Sequence, residues 1–288
     1  LLRDGDTVYT DPSDSHSLIV GDTGSMKTLR FVLPLIYSCA AADESMVIVD
    51  PKGELARKSE SFLSAKGYKT VIINMRDPQR SPDTWNPMGV IERGYKSGEE
   101  GQQKAVLQLN DMLNDIFFRR VDTKDPYWNE SAGQLALGIC LLLLALGEKL
   151  NMKNLLKWRY EKLADGTLDK CFRNLPTDGE IYQNLAGYLG MTAENTKSCI
   201  RSTFDQLVRV FKSAPALTEM LNDTSFDIER IGKAKAAVFV VIPDEKTTFH
   251  FLATLFISQC YTTLLETAER HGGSLPRRTN IILEEFCN

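Results

Sequence analysis

The sequence predicts an α/β fold with a mainly parallel sheet and an all-helical insertion. The first and last parts of the chain contain short apolar runs of strand length, which helix-length segments separate. Runs that are apolar at every position are typical of parallel strands buried on both faces by helices. The runs are Ser17–Val20, Met46–Val49, Thr70–Ile73, Ala237–Ile242 and Asn280–Leu283.

The middle of the chain has no such run and instead shows helical patterns. One helix is predicted to begin at Asp125 and Pro126, because Asp is a good N-cap and Pro suits the first helical position. Another begins near Thr192 and carries apolar residues at helical spacing: Ile200, Phe204, Leu207, Val208 and Phe211. We therefore divide the chain into an α/β part over 1–90, an all-helical part over 91–230 and a second α/β part over 231–288.

Composition is that of a soluble globular protein. Hydrophobic residues make up 43% and charged residues 25% of the 288 positions, enough for a large core without disulfides. The net charge of −4 excludes a protein that binds nucleic acid with its whole surface. Six well-separated cysteines and three histidines show no metal-ligand spacing, so we expect a reduced compartment.

The ends of the chain and its longest apolar stretch bear on membrane attachment. Leu135–Gly147 is shorter than the ~20 residues that a membrane-spanning helix needs. The chain starts at Leu1 rather than Met and stops soon after a strand-like run. We therefore expect a fragment of a longer protein, with any membrane anchor upstream of Leu1.

A glycine-rich loop gives the sharpest functional prediction. Its sequence matches G-x-x-x-x-G-K-[ST] except that Met26 replaces the second glycine of the pattern. In such loops backbone N–H groups surround phosphates, the lysine reaches β and γ oxygens, and the hydroxyl ligates Mg²⁺. The predicted nucleotide-binding residues are Gly21, Asp22, Thr23, Gly24, Ser25, Met26, Lys27 and Thr28.

Two adjacent carboxylates follow the last strand-like run. A phosphate loop needs an acidic partner at the end of a second strand to position Mg²⁺. We predict that Glu284 holds the metal through water together with Thr28, and that Glu285 is the general base for the attacking water. Lys27 and Glu285 are thus the candidate catalytic residues, and ATP and Mg²⁺ the predicted cofactors.

Two further segments stand at the predicted carboxyl ends of strands, where open α/β sheets bind ligands. Asp50, Lys52 and Glu54 lie in the first segment and are candidate accessory residues. Asn86-Pro87 is the second. The competing interpretation is local turn chemistry, since Asp-Pro and Asn-Pro initiate turns.

Taken in order, these motifs resemble those of the coupling-protein ATPases of conjugation and type IV secretion, the TraG family. The pieces are Gly21 to Thr28, Val49 to Glu54, Trp85 to Pro87, Asp125 to Ala132 and Ile282 to Asn288. The resemblance runs from about His16 to Asn288. The sequence departs from the family pattern at Met26 and at Glu284, where the family usually has Asp.

The resemblance implies a RecA-like P-loop NTPase with an inserted all-α domain, anchored on the cytoplasmic side of the bacterial inner membrane. Such proteins form homohexamers that hydrolyse ATP to move single- or double-stranded DNA, relaxases or effector proteins toward other secretion-system components. Two groups of basic residues in the helical part are interpreted as solvated faces, one of which could contact such a partner. They are Lys153, Lys157, Arg159 and Lys162, and Arg201, Arg209 and Lys212.

Two alternative functions compete with an ATP-driven translocase. The first is a DNA pump related to FtsK and HerA. The D-P-K-G-E and D-P-Y-W segments argue against that function. The second is a non-hydrolysing receptor for secretion substrates, whose phosphate loop is degenerate because of Met26. Glycine at that position lets the backbone adopt conformations that a side chain resists.

Overall fold

A computed structural model describes residues 2–9, 15–22, 24–117, 126–243 and 249–285. A short antiparallel hairpin comes first, with β1 over Leu2–Asp4 and β2 over Thr7–Tyr9. The main sheet contains β3 (Ser45–Val49), β4 (Lys69–Asn74), β5 (Ala236–Val241) and β6 (Thr279–Leu283). Its order is β4-β5-β3-β6 and every pair is parallel, which confirms the predicted parallel sheet.

Helices cover both faces of this sheet. On one face α1 (Leu33–Ala41) and α2 (Glu54–Ala65) enclose a small core that includes Met46 and Phe239. On the other face Val47 and Val238 belong to a larger core with Phe256 of α12 (His250–Arg270). Apolar side chains alternate between the two cores along β3 and β5, which explains why successive residues of these strands are apolar.

Between β4 and β5 the described residues form helices and connecting loops and no strand, as predicted. The helices are α3 (Gly89–Tyr95), α4 (Glu99–Phe117), α5 (Tyr127–Ala145), α6 (Met152–Lys157), α7 (Thr167–Arg173), α8 (Glu180–Leu189), α9 (Glu194–Leu207), α10 (Arg209–Ser213) and α11 (Pro215–Met220). Their buried side chains belong to the larger core, the one that also contains Val47 of β3 and Val238 of β5. The boundaries at 90 and 230 stay a prediction.

The predicted strand over Ser17–Val20 is wrong for the described conformation. Residues 15–22 are irregular, and Leu18 and Val20 are 78% and 87% exposed. An apolar run becomes a strand only where a neighbouring strand pairs with it, and none of the described strands pairs with this run. The loop that follows it nevertheless leads into a helix, through a π-helical turn over Thr28–Val32.

The W-N-P segment joins the sheet to the helical part. Trp85 is fully buried, packs edge-to-face on Phe256 with ring centroids 5.1 Å apart, and donates to Gln259 Oε1 at 3.1 Å. The buried Asn86 amide donates to the Leu150 carbonyl at 2.8 Å. Its backbone N–H donates to Thr224 Oγ1 at 2.9 Å. The segment therefore has a structural role, and a ligand-binding role for it stays a prediction.

The two edges of the sheet differ. Along β4 the backbone N–H of Ile72 donates to Asp83 Oδ2 and that of Asn74 donates to Ser81 Oγ, both at 2.9 Å. Side chains of the following loop thus occupy positions that a further strand would take. No described strand pairs with the outer side of β6, where Ile281 is 38% exposed.

Two observations qualify the sequence analysis of the helical part. Helix α5 is long and apolar enough to cross a membrane, but 67% of its most apolar window is buried in the fold, as in a core helix. Arg159, predicted on a solvated face, is buried and its guanidinium pairs with Asp205 at 2.9 Å. Burial of a charge requires such a partner, and sequence spacing alone gave no sign of it.

Candidate functional site at the carboxyl edge of the sheet

The glycine-rich loop closes on itself through a tight turn. The N–H of Ser25 donates to the carbonyl of Asp22 at 3.1 Å, and Gly24 has a φ of +84°. A Cβ on Gly21 would lie 2.9 Å from Ser25 Oγ, so a side chain there would require the Ser25 hydroxyl to move. The positive φ of Gly24 is the feature of this turn that requires glycine. Thr23 lies outside the described residues.

Lys27 folds back over this loop. Its ammonium donates to the carbonyls of Gly21 and of Asp22, the latter at 3.3 Å. These are exposed hydrogen bonds to neutral acceptors, which a phosphate can replace with stronger, charge-assisted ones. The position of Lys27 agrees with its predicted role of reaching phosphate oxygens.

Met26 has the backbone conformation that its motif normally assigns to glycine. Its φ is +59°, in the left-handed region, and its side chain is 55% exposed. A non-glycine residue there costs of order 1–2 kcal/mol because Cβ crowds the neighbouring carbonyl. The loop therefore forms with methionine, but with strain at this residue.

The loop and the acidic strand end meet although 256 positions separate them. The Thr28 hydroxyl donates to Oε1 of Glu284, whose backbone directly follows β6. Burial raises the pKa of the Glu284 carboxyl, the Thr28 hydrogen bond opposes that rise, and the carboxylates of Asp50 and Glu285 add to it. The predicted metal-binding pair is thus brought together, in a setting where a cation would relieve repulsion between carboxylates.

Glu285 lies beside the first accessory segment. Lys52 Nζ is 3.3 Å from Glu285 Oε1, and the two follow the adjacent parallel strands β3 and β6. Glu285 itself has a φ of +56°. Both residues were predicted from their local motifs, whereas their pairing depends on the neighbour order of the strands.

The other two accessory residues have structural contacts. Asp50 is buried and accepts hydrogen bonds from the backbone N–H groups of Glu54 at 3.1 Å and Ala56 at 2.9 Å, at the start of α2. Burial raises the pKa of its carboxyl, against the lowering effect of these N–H groups. Glu54 pairs with Lys58 on its own helix at 2.8 Å. Their accessory role in nucleotide chemistry stays a prediction.

We expect Asp50→Ala to destabilise the fold by about 1–2 kcal/mol, the usual cost of losing a helix N-terminal acceptor. A raised carboxyl pKa gives stability that is complete below the unfolded-state pKa and is lost as the pH rises through the folded-state pKa. The decrease in the free energy of unfolding caused by Asp50→Ala should therefore grow as the pH falls from about 7 toward about 4. Urea unfolding at both pH values measures it, with exposed Glu60→Ala of the same helix as control. A loss no larger than that of the control would contradict this role.

The donors at this edge suit Mg²⁺. A hydroxyl and a carboxylate are hard oxygen ligands, and Mg²⁺ typically binds one or two such side chains together with phosphate oxygens and waters. In the described part of the chain, no group of three His, Cys, Asp or Glu residues is arranged to hold a metal by itself. Thr28 and Glu284 fit a metal that arrives with a phosphate ligand.

Comparison with known proteins gives one family. The family model described as type IV secretory system conjugative DNA transfer matches residues 2–288. A curated phosphoserine aminotransferase from Buchnera aphidicola is 26% identical over 137 residues, which cover 44% of this chain and 37% of that protein. So partial a match shows no family membership.

The similar solved structures include those of the plasmid coupling protein TrwB. The complex with a non-hydrolysable ATP analogue has a TM-score of 0.56 at 16% identity and covers 91% of this chain and 55% of that chain. The complex with ADP and Mg²⁺ has a TM-score of 0.54 at 16% identity and covers 91% of this chain and 62% of that chain. The unbound form has a TM-score of 0.54 at 17% identity and covers 87% of this chain and 50% of that chain. The chain thus spans between half and two thirds of these relatives, and the likeness shows a RecA-like P-loop NTPase fold.

Proposed function

Because the chain belongs to the type IV secretory system conjugative DNA transfer family, we propose that it is the motor part of a coupling protein that binds and hydrolyses ATP. Family membership favours this proposal over a pump related to FtsK and HerA. The solved TrwB structures with an ATP analogue and with ADP and Mg²⁺ support nucleotide and Mg²⁺ as its ligands.

The contact between Thr28 and Glu284 carries the proposal. A phosphate loop and an acidic strand end lie far apart in the sequence, and an ordinary surface turn has no reason to meet such a strand end. Their contact joins a hydroxyl and a carboxylate, and the next residue, Glu285, supplies a second carboxylate. That set can hold a metal and accept a proton.

Each residue has a distinct part in the proposed reaction, the hydrolysis of ATP by water to ADP and phosphate. Lys27 binds the β and γ oxygens, and Thr28 with Glu284 holds Mg²⁺, which supplies charge neutralisation when bound. Glu285 orients the attacking water and accepts its proton. This division of roles puts the general base one residue further from the strand than the metal ligand. Glu285 lies one residue further from β6 than Glu284 does.

The wider setting follows from the family. We propose that the parts over 1–90 and 231–288 together bind the nucleotide and that 91–230 is an inserted domain. The full-length protein would work as a homohexamer on the cytoplasmic side of the bacterial inner membrane. Its cargo would be DNA together with relaxase or effector proteins, delivered to other components of the secretion system.

Nucleotide binding tests the proposal directly. Lys27→Ala should weaken Mg-ATP binding about tenfold or more, because each charge-assisted hydrogen bond contributes roughly 1.5–3 kcal/mol. Calorimetric titration measures the affinity, with Lys96→Ala, directly after α3, as a matched lysine outside the site. Equal affinity of wild type and Lys27→Ala would overturn the assignment of the loop.

The strain at Met26 favours a second candidate, the non-hydrolysing receptor. Met26→Gly separates the two in the same titration, because glycine adopts a positive φ without cost. A motor should bind Mg-ATP with methionine in place and several-fold more tightly with glycine. A wild type that binds no nucleotide, beside a Met26→Gly variant that does, would favour the receptor.

A further inference from the structure

Lys52 occupies a position that ties it to the proposed general base. It follows β3 in the turn that ends at Gly53, whose φ is +67°, and Glu285 follows the adjacent strand β6. Val49 and Leu283 are register partners in these two strands. The turns after the strands therefore bring the Lys52 ammonium to 3.3 Å from the Glu285 carboxylate.

Stability does not account for this pair. The side chains are 57% and 31% exposed, and exposed ion pairs contribute little to folding. Glu285 holds its place in a left-handed backbone conformation, which a glutamate adopts only at a cost. Strain of this kind is common where a side chain must be placed for function.

The other carboxylates near Lys52 have different partners. Asp50 accepts from the N–H groups at the start of α2, and Glu284 accepts from Thr28. Lys27 donates to carbonyls of its own loop. The ammonium groups of Lys27 and Lys52 thus both lie at this edge of the sheet. Each donates to a protein oxygen that a phosphate oxygen can replace.

We propose that Lys52 distinguishes ATP from ADP by exchanging Glu285 for the γ-phosphate. This inference rests on the proposed function, which puts the γ-phosphate next to the general base. Without nucleotide the ammonium binds the Glu285 carboxylate. With ATP it binds γ-phosphate oxygens, and the freed carboxylate is available to the attacking water. With ADP the pair with Glu285 persists.

Calorimetric titration of Mg-ATP and Mg-ADP against four forms of the full-length protein tests the exchange: wild type, Lys52→Met, Glu285→Gln and the double variant. Lys52→Met should weaken ATP binding about tenfold and leave ADP binding unchanged, because only ATP offers the γ-phosphate. Glu285→Gln should tighten ATP binding several-fold, since ATP no longer competes with a carboxylate for the ammonium. The double variant should match Lys52→Met, because the charge at 285 affects ATP binding through that ammonium.

Two comparisons make the result specific. Lys52→Arg keeps the positive charge and should restore most of the preference for ATP. Lys96→Met removes a lysine of similar exposure from its pair with Glu92 and should change neither affinity.

The outcomes separate the inference from the function on which it rests. A wild type that binds neither nucleotide would overturn the proposed function. Binding of both nucleotides by the wild type, with equal effects of Lys52→Met on ATP and ADP or none, would overturn only the exchange. Glu285→Gln also tests it alone: unchanged ATP affinity in that variant contradicts competition for the ammonium.

Discussion

Glu285→Gln is expected to lower the rate of ATP hydrolysis by about 10²–10⁴-fold, the usual contribution of a general base. The amide keeps the shape of the side chain and cannot accept a proton from water. Mg-ATP binding should be retained, because Thr28 and Glu284 remain in contact. Steady-state release of phosphate by the full-length protein measures the rate, and calorimetry measures the binding.

Glu60→Gln provides the control for this loss, since Glu60 is exposed on α2. It should leave the rate unchanged. Hydrolysis by Glu285→Gln at close to the wild-type rate would place the general base elsewhere. Loss of Mg-ATP binding together with hydrolysis would instead place Glu285 in the metal site, and the division of labour with Glu284 would be wrong.

Trp85→Ala should destabilise the protein by about 3–5 kcal/mol, the range for truncating a buried aromatic residue. It removes the ring that packs on Phe256 and leaves Gln259 without the donor at Oε1. Urea unfolding followed by circular dichroism measures the change. Tyr261→Ala on α12 is the control, because Tyr261 is 56% exposed and should shift stability by no more than about 0.5 kcal/mol.

The same variant decides between the two interpretations of the W-N-P segment. If it is structural, folded Trp85→Ala should bind Mg-ATP as the wild type does, and Trp85→Phe should recover part of the lost stability. A small loss of stability accompanied by a large loss of nucleotide affinity would show that the segment contacts the ligand after all.

Much of the fold could be predicted because local patterns and tertiary environment agree. The strands β3 and β5 are apolar at every position except Ser45, and the structure buries both of their faces. The period of Ile200, Phe204, Leu207, Val208 and Phe211 predicted a buried helical face. All of them are buried except Leu207, which is half-buried, and the face spans two helices because α9 ends at Leu207 and α10 follows. Asp125, the predicted N-cap, lies outside the described residues.

The failures occur where the outcome depends on a distant partner. Ser17–Val20 has the composition of a strand, but pairing decides whether a strand forms, and composition does not specify the pairing. Arg159 was grouped with Lys153 and Lys157, which are exposed, whereas its own burial depends on Asp205 of α9.

The site shows the same limit. Spacing was enough to name Thr28, Glu284, Lys52 and Glu285, since each motif is local. Which of them touch depends on β3 and β6 being neighbours, and an order of strands cannot be worked out from one sequence. The positive φ of Met26 was foreseeable from the glycine that it replaces, while that of Glu285 had no such indication.

The two edges of the sheet differ in whether a further strand can pair with them. Asp83 and Ser81 block the β4 side with their own hydrogen bonds, so an incoming strand finds no free donors at Ile72 and Asn74. The outer side of β6, where no described strand pairs, is the one open to a further strand, from the same polypeptide or from another copy. That strand would lie next to Glu284 and Glu285, so extending the sheet would also change the surroundings of the proposed nucleotide site.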